Sequence, residues 1–143
     1  DISAPNVARC VDEFGAVAVA GAEIFALDVD VFAPCALGAV LDDTTINQLR
    51  AKVVAGAANN QLAQKEHDLV LLHRGILYAP DYVINAGGII DIYYEGPGYD
   101  WVVVEKHLQR VGTTLTRIYE RAAQQGKPTG EIADRMAEEI FRK

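Results

Sequence analysis

The chain has 143 residues with a formal net charge of −7, and 50% of its residues are apolar. This length supports one domain with a hydrophobic core but is short for a complete two-domain enzyme. The acidic balance, without any cluster of Lys and Arg, excludes nucleic acid as an expected partner, because nothing would neutralise a phosphate backbone.

The cysteine pattern and hydropathy bear on the compartment. Cys10 and Cys35 have no CxxC or Cys/His spacing, so neither a disulfide framework nor a metal site is predicted. No apolar run approaches the roughly 20 residues that span a bilayer. No charged-then-apolar leader opens the sequence. We therefore expect a cytoplasmic protein with no metal and no membrane partner.

The first predicted elements are a strand end and a helix. Asp1 and Ile2 have the character of a strand end. Ser3 is expected to cap the helix that follows with its hydroxyl, and Pro5 suits a first helical turn. Apolar residues then recur at helical spacing until Gly15, which is predicted to end the helix.

Short apolar runs bounded by Gly or Pro predict strands, and the segments between the later runs predict helices at Asp43–Leu49 and Gln61–Arg74. Continuous apolar strands that alternate with helices are typical of a parallel sheet covered on both faces. The sequence therefore predicts an α/β fold, a partial Rossmann-like doubly wound parallel sheet, with strands at residues 16–20, 29–33, 52–55 and 76–79.

The later part of the chain carries helical periodicity without strand signals, at Val102–Arg121 and Thr129–Arg142. The turn Gly96-Pro97-Gly98 separates this part from the sheet. We expect residues 1–95 to form a partial dinucleotide-binding domain, from the end of its second strand onward. Residues 96–143 are expected to add C-terminal helices that pack on it.

Ligands of a doubly wound sheet bind beyond the carboxyl ends of its strands. The segments there are rich in small residues, which let a backbone approach a flat ring or a pyrophosphate closely. They also contain Asn59, Asn60 and Asn85, whose amides offer a donor and an acceptor to a carboxamide or an amino acid. The alternative is that these asparagines cap helices and that the glycines only shape turns.

Two further features concern charge. A helix that begins at Asn85-Ala86-Gly87-Gly88 would aim free amides and its positive dipole end at a carboxylate. Asp1, if it ends the second strand, suits the adenosine ribose hydroxyls and disfavours a 2′-phosphate, which predicts NAD over NADP. The glycine fingerprint GxGxxG, expected about 20 residues before such an Asp, is absent, so we expect the chain to start after the phosphate-binding turn.

Three motifs follow the three predicted strands, and they read Phe32-Ala33-Pro34-Cys35-Ala36-Leu37-Gly38-Ala39, Ala55-Gly56-Ala57-Ala58-Asn59-Asn60-Gln61 and Tyr78-Ala79-Pro80-Asp81-Tyr82-Val83-Ile84-Asn85-Ala86-Gly87-Gly88. In their order and spacing, these motifs closely resemble the leucine, phenylalanine and valine dehydrogenases. The resemblance extends to 133–139 in the last helix. It implies oxidative deamination of an apolar L-amino acid by NAD, giving a 2-oxo acid and ammonia, in an enzyme that forms a homo-oligomer.

The resemblance implies cofactor contacts in three places, which are Asp1 and Ile2 at the adenosine, Cys35 and Ala36 along the groove, and Asn59 with Asn60 at the nicotinamide. Asn85 would contact the substrate's α-amino or carboxylate group. Leu115 and Ile118, on one face of a predicted helix, would line the side-chain pocket. Core packing is the alternative explanation for that face.

The departure from the family is the missing catalytic segment. The family carries its catalytic lysines and Asp in an N-terminal domain, within a glycine-rich stretch that ends in Lys, and no such stretch occurs here. We therefore expect no catalytic residue in this chain. Two alternatives remain, a catalytically inactive NAD-binding or interaction module and a different NAD-dependent oxidoreductase.

Overall fold

The computed structural model describes residues 1–142. Its elements, in chain order, are α1 (Ala4–Phe14), a short 3-10 helix (Glu23–Ala26), β1 (Val31–Phe32), α2 (Asp43–Gln48), β2 (Val53–Val54), α3 (His67–His73), β3 (Leu77–Tyr78), α4 (Asp81–Ile84), α5 (Gly87–Tyr94), α6 (Trp101–Gln125) and α7 (Thr129–Phe141).

The strands form a three-stranded parallel sheet in the order β1-β2-β3. Val31 pairs with Val53, which pairs in turn with Leu77. An isolated parallel bridge between Leu41 and Leu62 continues the pairing beyond the strand ends. The predicted parallel α/β fold is confirmed, and the strands predicted at 29–33, 52–55 and 76–79 form with shorter bounds.

Two hydrophobic clusters hold these elements. The first packs the sheet against α2 and α3 and contains Phe32, Leu41, Ile46, Leu49, Ala51, Val54, Leu71, Ile76 and Tyr78. The second joins α6 to α7 through Ile118, Ala122, Ile132, Ala133 and Met136. Full burial of a Leu or Ile side chain stabilises a fold by about 1.5–3 kcal/mol, so these clusters dominate the packing energy.

The predicted helical tail is confirmed as α6 and α7. The Asp100 carboxylate accepts a hydrogen bond from the Val102 amide at the start of α6, and Gly126 ends that helix with a positive φ of 63°. Such caps satisfy backbone groups that the helix itself leaves unpaired. α6 packs on α4 and α5, and α7 packs on α3 and β3, so the tail lies against the sheet domain.

The strand predicted at residues 16–20 is wrong, because these residues form no strand and Val17 is 85% exposed. Asp1 and Ile2 likewise lie outside any strand. By the strand count of the sequence analysis, residues 16–20 would be the third strand of a doubly wound sheet, and β1 would be the fourth. In that order the third strand pairs only with the second strand, so residues 16–20 have no partner among β1, β2 and β3.

One predicted capping contact and one predicted helix boundary also need correction. The Ser3 side chain makes no capping bond; instead the Asp1 carboxylate accepts a hydrogen bond from the Ser3 amide over 2.7 Å. Gly15 does end α1, with a φ of 65°. The helix predicted at Gln61–Arg74 begins only at His67, because residues 61 and 62 are engaged with other loops.

Within residues 1–142, no helix is both long and apolar enough to cross a membrane. In that same part of the chain, no group of three or more His, Cys, Asp or Glu side chains stands together as a metal site would require.

Candidate functional site at the strand ends

The loops after β1 and β2 are held together by backbone contacts. The Ala58 amide donates to the Pro34 carbonyl over 2.9 Å, and the Ala57 amide donates to the Cys35 thiol sulfur over 3.4 Å. Gly56 permits this approach, because a Cβ at that position would lie 2.2 Å from the Pro34 carbonyl oxygen. The glycine is therefore required by close packing of two loops rather than by a turn.

A second set of contacts joins the same two loops farther along. The Ala39 amide donates to the Asn60 carbonyl over 2.6 Å, and a Cβ on Gly38 would meet the Asn59 carbonyl oxygen at 2.7 Å. Asn60 adopts a positive φ of 52°, a left-handed conformation that Asn tolerates better than most residues. The backbone at Asn59 and Asn60 is thus tightly constrained.

The ends of β2 and β3 meet through two side chains. The Asn85 Nδ2 atom donates to Asn59 Oδ1 over 2.5 Å. Asn85 lies between α4 and α5, where it follows the last residue of α4. The helix predicted to begin at Asn85–Gly88 does start there, since α5 begins at Gly87. The contact of Cys35 with Ala57 and the bond between Asn59 and Asn85 bring the segments after the three strands together, while the ligand-binding roles of these residues stay predictions.

The helix-capping alternative does not describe Asn59 and Asn60. Both lie in a loop, six or more residues before α3, and both are exposed. Within residues 1–142, the Asn59 Nδ2 atom and the Asn60 side chain donate to no protein group. These N–H groups are available as donors to a ligand, and the side-chain oxygens of Asn59 and Asn60 are available as acceptors. This set of groups can orient a carboxamide, an amine or a carboxylate.

A cavity of about 230 Å³ opens beside Asn60, and Lys65, Tyr82 and Asp134 are among the residues that line it. Asp134 accepts hydrogen bonds from Lys65 over 3.0 Å and from the Tyr82 hydroxyl over 2.7 Å. Burial raises the pKa of Tyr82, and the bond to Asp134 raises it further. Burial works to raise the pKa of Asp134, but the bonds from Tyr82 and Lys65 outweigh it and hold that pKa below 3.8. Asp134 is therefore an ionised carboxylate in the cavity wall, and Lys65 already pairs its charge.

The adenosine-binding residues predicted at the N-terminus, Asp1 and Ile2, precede α1. Asp1 accepts hydrogen bonds from the Ser3 amide and, over 3.5 Å, from the Asn6 side chain, so its contacts are local. Ile2 is fully exposed. Ala36, predicted to line the groove, is exposed next to Cys35. Cys35, Ala36 and the three asparagines thus lie on the segments that follow the strands, while the roles of Asp1 and Ile2 stay predictions.

The two predicted pocket residues on α6, Leu115 and Ile118, differ in burial. Ile118 is 1% exposed and belongs to the cluster between α6 and α7, against which Val83 also packs. Leu115 is half-buried, one turn earlier on the helix. Ile118 therefore lies in a cluster that packs against α4 through Val83, as a core residue does.

Gln61 and Asp81 take part in the site although the sequence did not single them out. The Gln61 amide donates to Asp81 Oδ2 over 2.7 Å, and the Gln61 side chain is buried under the loop that carries Asn59. A Pro-Asp pair before a helix is a recognisable start signal that could have identified Asp81. Nothing in the local sequence indicates that Gln61 is buried.

A parallel α/β sheet whose strand ends gather small residues and amide side chains defines a protein that binds its ligand at the carboxyl edge of the sheet. Residues 4–137 match the family described as Glutamate/Leucine/Phenylalanine/Valine dehydrogenase. The chain belongs to that family.

Individual relatives agree with this assignment. The chain is 47% identical over 139 residues to leucine dehydrogenase from Thermoactinomyces intermedius, covering 97% of this chain and 38% of the relative. It is 47% identical to valine dehydrogenase from Streptomyces coelicolor, with 94% and 38% covered. The crystal structure of L-tryptophan dehydrogenase from Nostoc punctiforme superposes with a TM-score of 0.94 at 46% identity, covering 97% of this chain and 42% of that one. The chain thus spans less than half the length of these relatives.

Proposed function

We propose that this chain is the cofactor-binding part of an NAD-dependent dehydrogenase that oxidatively deaminates an apolar L-amino acid. The observation that carries the proposal is the hydrogen bond between Asn59 and Asn85, which joins two strand ends at the ligand edge. The similarity to leucine, valine and tryptophan dehydrogenases supports an apolar or aromatic substrate.

The residues at this edge fit a dinucleotide. The loops after β1 and β2 also carry the small exposed residues Ala36 and Ala57, so a flat nicotinamide ring could approach the backbone there. Cys35 and Ala36 would form one wall of this groove. The amides of Asn59 and Asn60 match the donor and acceptor of a carboxamide. NAD, when bound, would accept the hydride from the substrate α-carbon.

Asn85 is assigned to the substrate. Its Oδ1 atom can accept a bond from an α-amino group while its Nδ2 atom remains bonded to Asn59. An orienting group of this kind fixes the α-carbon relative to the cofactor, which is the main contribution that a non-titrating side chain makes to such a reaction. Leu115 and Ile118 would set the size of the side-chain pocket, and Asp1 with Ile2 would hold the adenosine.

No residue of this chain is assigned the role of general base. Deprotonating the amino group and hydrolysing the imine both require a titratable group near the α-carbon, and an amide does not titrate near neutral pH. The catalytic groups are therefore placed in the part of the relatives that this chain does not match. Cys10 and Cys35 are unpaired, which suits the reducing cytoplasm, and we expect the complete enzyme to be a homo-oligomer.

The proposal is tested with the longest natural polypeptide that contains this chain. We expect it to reduce NAD in the presence of leucine, valine, phenylalanine or tryptophan, and we expect Asn85→Ala to lower kcat/KM about 10- to 100-fold through lost orientation. Asn47→Ala, an exposed asparagine on α2, is the matched control and should leave kcat/KM unchanged. NAD binding without any turnover would favour the alternative, an inactive binding or interaction module.

A further inference from the structure

The asparagine pair belongs to a closed ring of contacts. Asn85 bonds Asn59 through its side chain, and the Asn85 backbone amide donates to the Asp81 carbonyl over 2.9 Å. Asp81 accepts the Gln61 backbone amide over 2.7 Å through its Oδ2 atom. Gln61 is joined to Asn59 by the chain itself. The distance between the loop after β2 and helix α4 is thus fixed by two links, of which only one is the asparagine bond.

Gln61 holds the β2 loop from underneath. Its Nε2 atom donates to the Gly56 carbonyl over 2.7 Å and to the Ala58 carbonyl over 3.0 Å. The side chain is fully buried. These two bonds tie the beginning of the loop to its end, so the backbone that carries Asn59 cannot open without breaking them.

Stability alone does not account for a glutamine at this position. The Gln61 Oε1 atom is buried and has no hydrogen-bond partner within the described residues. A buried acceptor without a partner is unfavourable, and such atoms in folded proteins call for an explanation. A side chain that shapes the loop for binding supplies one, because the two bonds of Nε2 are geometrically specific in a way that apolar packing is not.

We propose that Gln61 is a positioning residue, which together with Asp81 holds Asn59 in register with Asn85 for the reaction proposed above. Gln61 itself touches neither cofactor nor substrate. The effect of its side chain passes through the Gly56 and Ala58 carbonyls, while its backbone amide donates to the Asp81 carboxylate. The inference rests on the proposed function for its kinetic consequence, but the geometric claim stands on the contacts alone.

The test uses Gln61→Met in the longest natural polypeptide containing this chain, since Met has similar length and no donor. We expect kcat/KM for the amino acid to fall about 10- to 100-fold, mainly in kcat, because misplacement by about 1 Å costs this much in oriented reactions. AMP binding, which reports only on the adenosine side, should keep its Kd. Gln64→Glu, at an exposed glutamine nearby, is the control and should change neither quantity.

A double-mutant cycle separates positioning from general destabilisation. If Gln61 acts through the asparagine pair, adding Gln61→Met to Asn85→Ala should cause less than a twofold further loss, because the pair is already broken. Additive losses, or a kcat/KM for Gln61→Met within twofold of the parent, would overturn the proposal. Should Gln61→Met fail to fold, Asp81→Asn tests the other link and is expected to lower kcat in the same direction.

A structural measurement distinguishes failure of this inference from failure of the proposed function. A crystal structure of Gln61→Met, or of Asp81→Asn, should show the Asn59–Asn85 hydrogen bond lengthened or lost. If the parent shows no dehydrogenase activity, the proposed function fails while this geometric outcome still decides the role of Gln61. An unchanged asparagine bond in a folded variant refutes it.

Discussion

Asp68 is a buried carboxylate that joins α3 to the start of α7. Its Oδ2 atom accepts hydrogen bonds from the Gly130 amide over 2.8 Å and from the Glu131 amide over 3.3 Å. A Cβ on residue 130 would lie 2.6 Å from that oxygen, so a larger residue there would force the Asp68 side chain to shift. Burial raises the pKa of Asp68 above 3.8, although the two backbone bonds act in the opposite direction.

The raised pKa sets the sign of a pH dependence. The folded protein binds the Asp68 proton more tightly than the unfolded chain does, so this contribution to stability is fully present below pH 3.8. It is lost as the pH rises through the folded pKa. Asp68→Asn removes this titration. As the pH rises from 3.8 through the folded pKa, the free energy of unfolding of Asp68→Asn should therefore increase relative to that of the parent. Chemical denaturation at stepped pH measures this, with the exposed Asp12→Asn as control.

Removing the Asp68 side chain should be costly at every pH in the neutral range. Asp68→Ala leaves the Gly130 and Glu131 amides without their acceptor, and a buried group left unpaired costs about 1–3 kcal/mol. We expect urea denaturation to show a loss of that size. A free energy of unfolding within experimental error of the parent's would show that water replaces the carboxylate freely.

Asp1 tests the cofactor assignment at the scale of one side chain. In the complete enzyme, Asp1→Ser should weaken NAD binding, because charge-assisted bonds to ribose hydroxyls are each worth roughly 1.5–3 kcal/mol. The discrimination against NADP should relax at the same time, since the carboxylate no longer repels a 2′-phosphate. Asp12→Ser, an exposed acidic residue on α1, is the control. An unchanged ratio of NAD to NADP affinity would remove Asp1 from the site.

At the scale of elements, the packing of the β1 loop on the β2 loop makes a glycine comparison informative. Gly56→Ala places a Cβ 2.2 Å from the Pro34 carbonyl oxygen, so the two loops must separate and the protein should be destabilised by more than about 1 kcal/mol. Gly112→Ala, inside α6, meets no atom within 4 Å and should stabilise by roughly 0.5–1 kcal/mol. Thermal unfolding of both variants gives the comparison, and a loss for both would contradict it.

The α6 face offers a test between two roles. Ile118 lies in the core, so Ile118→Ala should lower the free energy of unfolding by about 2–5 kcal/mol. If Ile118 and Leu115 also line the side-chain pocket in the complete enzyme, Leu115→Ala should shift the relative kcat/KM among leucine, valine and phenylalanine. Unaltered ratios with reduced stability would leave core packing as the sufficient explanation of this face.

Elements that depend on local signals were predictable from the sequence. Apolar runs ended by Pro34, Gly56 and Pro80 gave the three parallel strands, and Gly15 gave the end of α1. The run at 16–20 has the same local character, but a strand forms only where a neighbouring strand accepts its hydrogen bonds, and none of β1, β2 or β3 is its neighbour. Pairing is a property of the sheet, which a local pattern does not contain.

The site was predictable to a similar extent. Parallel strands that end at one edge bring the residues after them together, and this argument placed Asn59 beside Asn85. The direction of the Gln61 side chain depends instead on how the loop after β2 folds back, because its bonds reach the Gly56 and Ala58 carbonyls of the same loop. The Asp68 contact with α7 joins residues more than 60 positions apart, so neither could be read from spacing.

At the scale of the whole molecule, much apolar surface is uncovered. α1 buries none of its residues, and Ile89, Ile92 and Trp101 on α5 and α6 are each more than half exposed. Exposed apolar side chains that lie together mark interaction surfaces. The chain matches only 38% of the length of leucine dehydrogenase from Thermoactinomyces intermedius. We therefore expect these faces to be covered in the complete enzyme.

In the function proposed above, this chain supplies cofactor and substrate contacts but no catalytic group. This division of roles is tested most directly by measuring NADH formation from leucine, valine, phenylalanine and tryptophan. The 143-residue chain is assayed alone and then with a second segment. This segment is the part of leucine dehydrogenase from Thermoactinomyces intermedius that this chain does not match. We predict no turnover by the chain alone and turnover when the second segment is added. Turnover by the 143-residue chain alone would contradict the account, because no residue assigned here could carry the proton transfers.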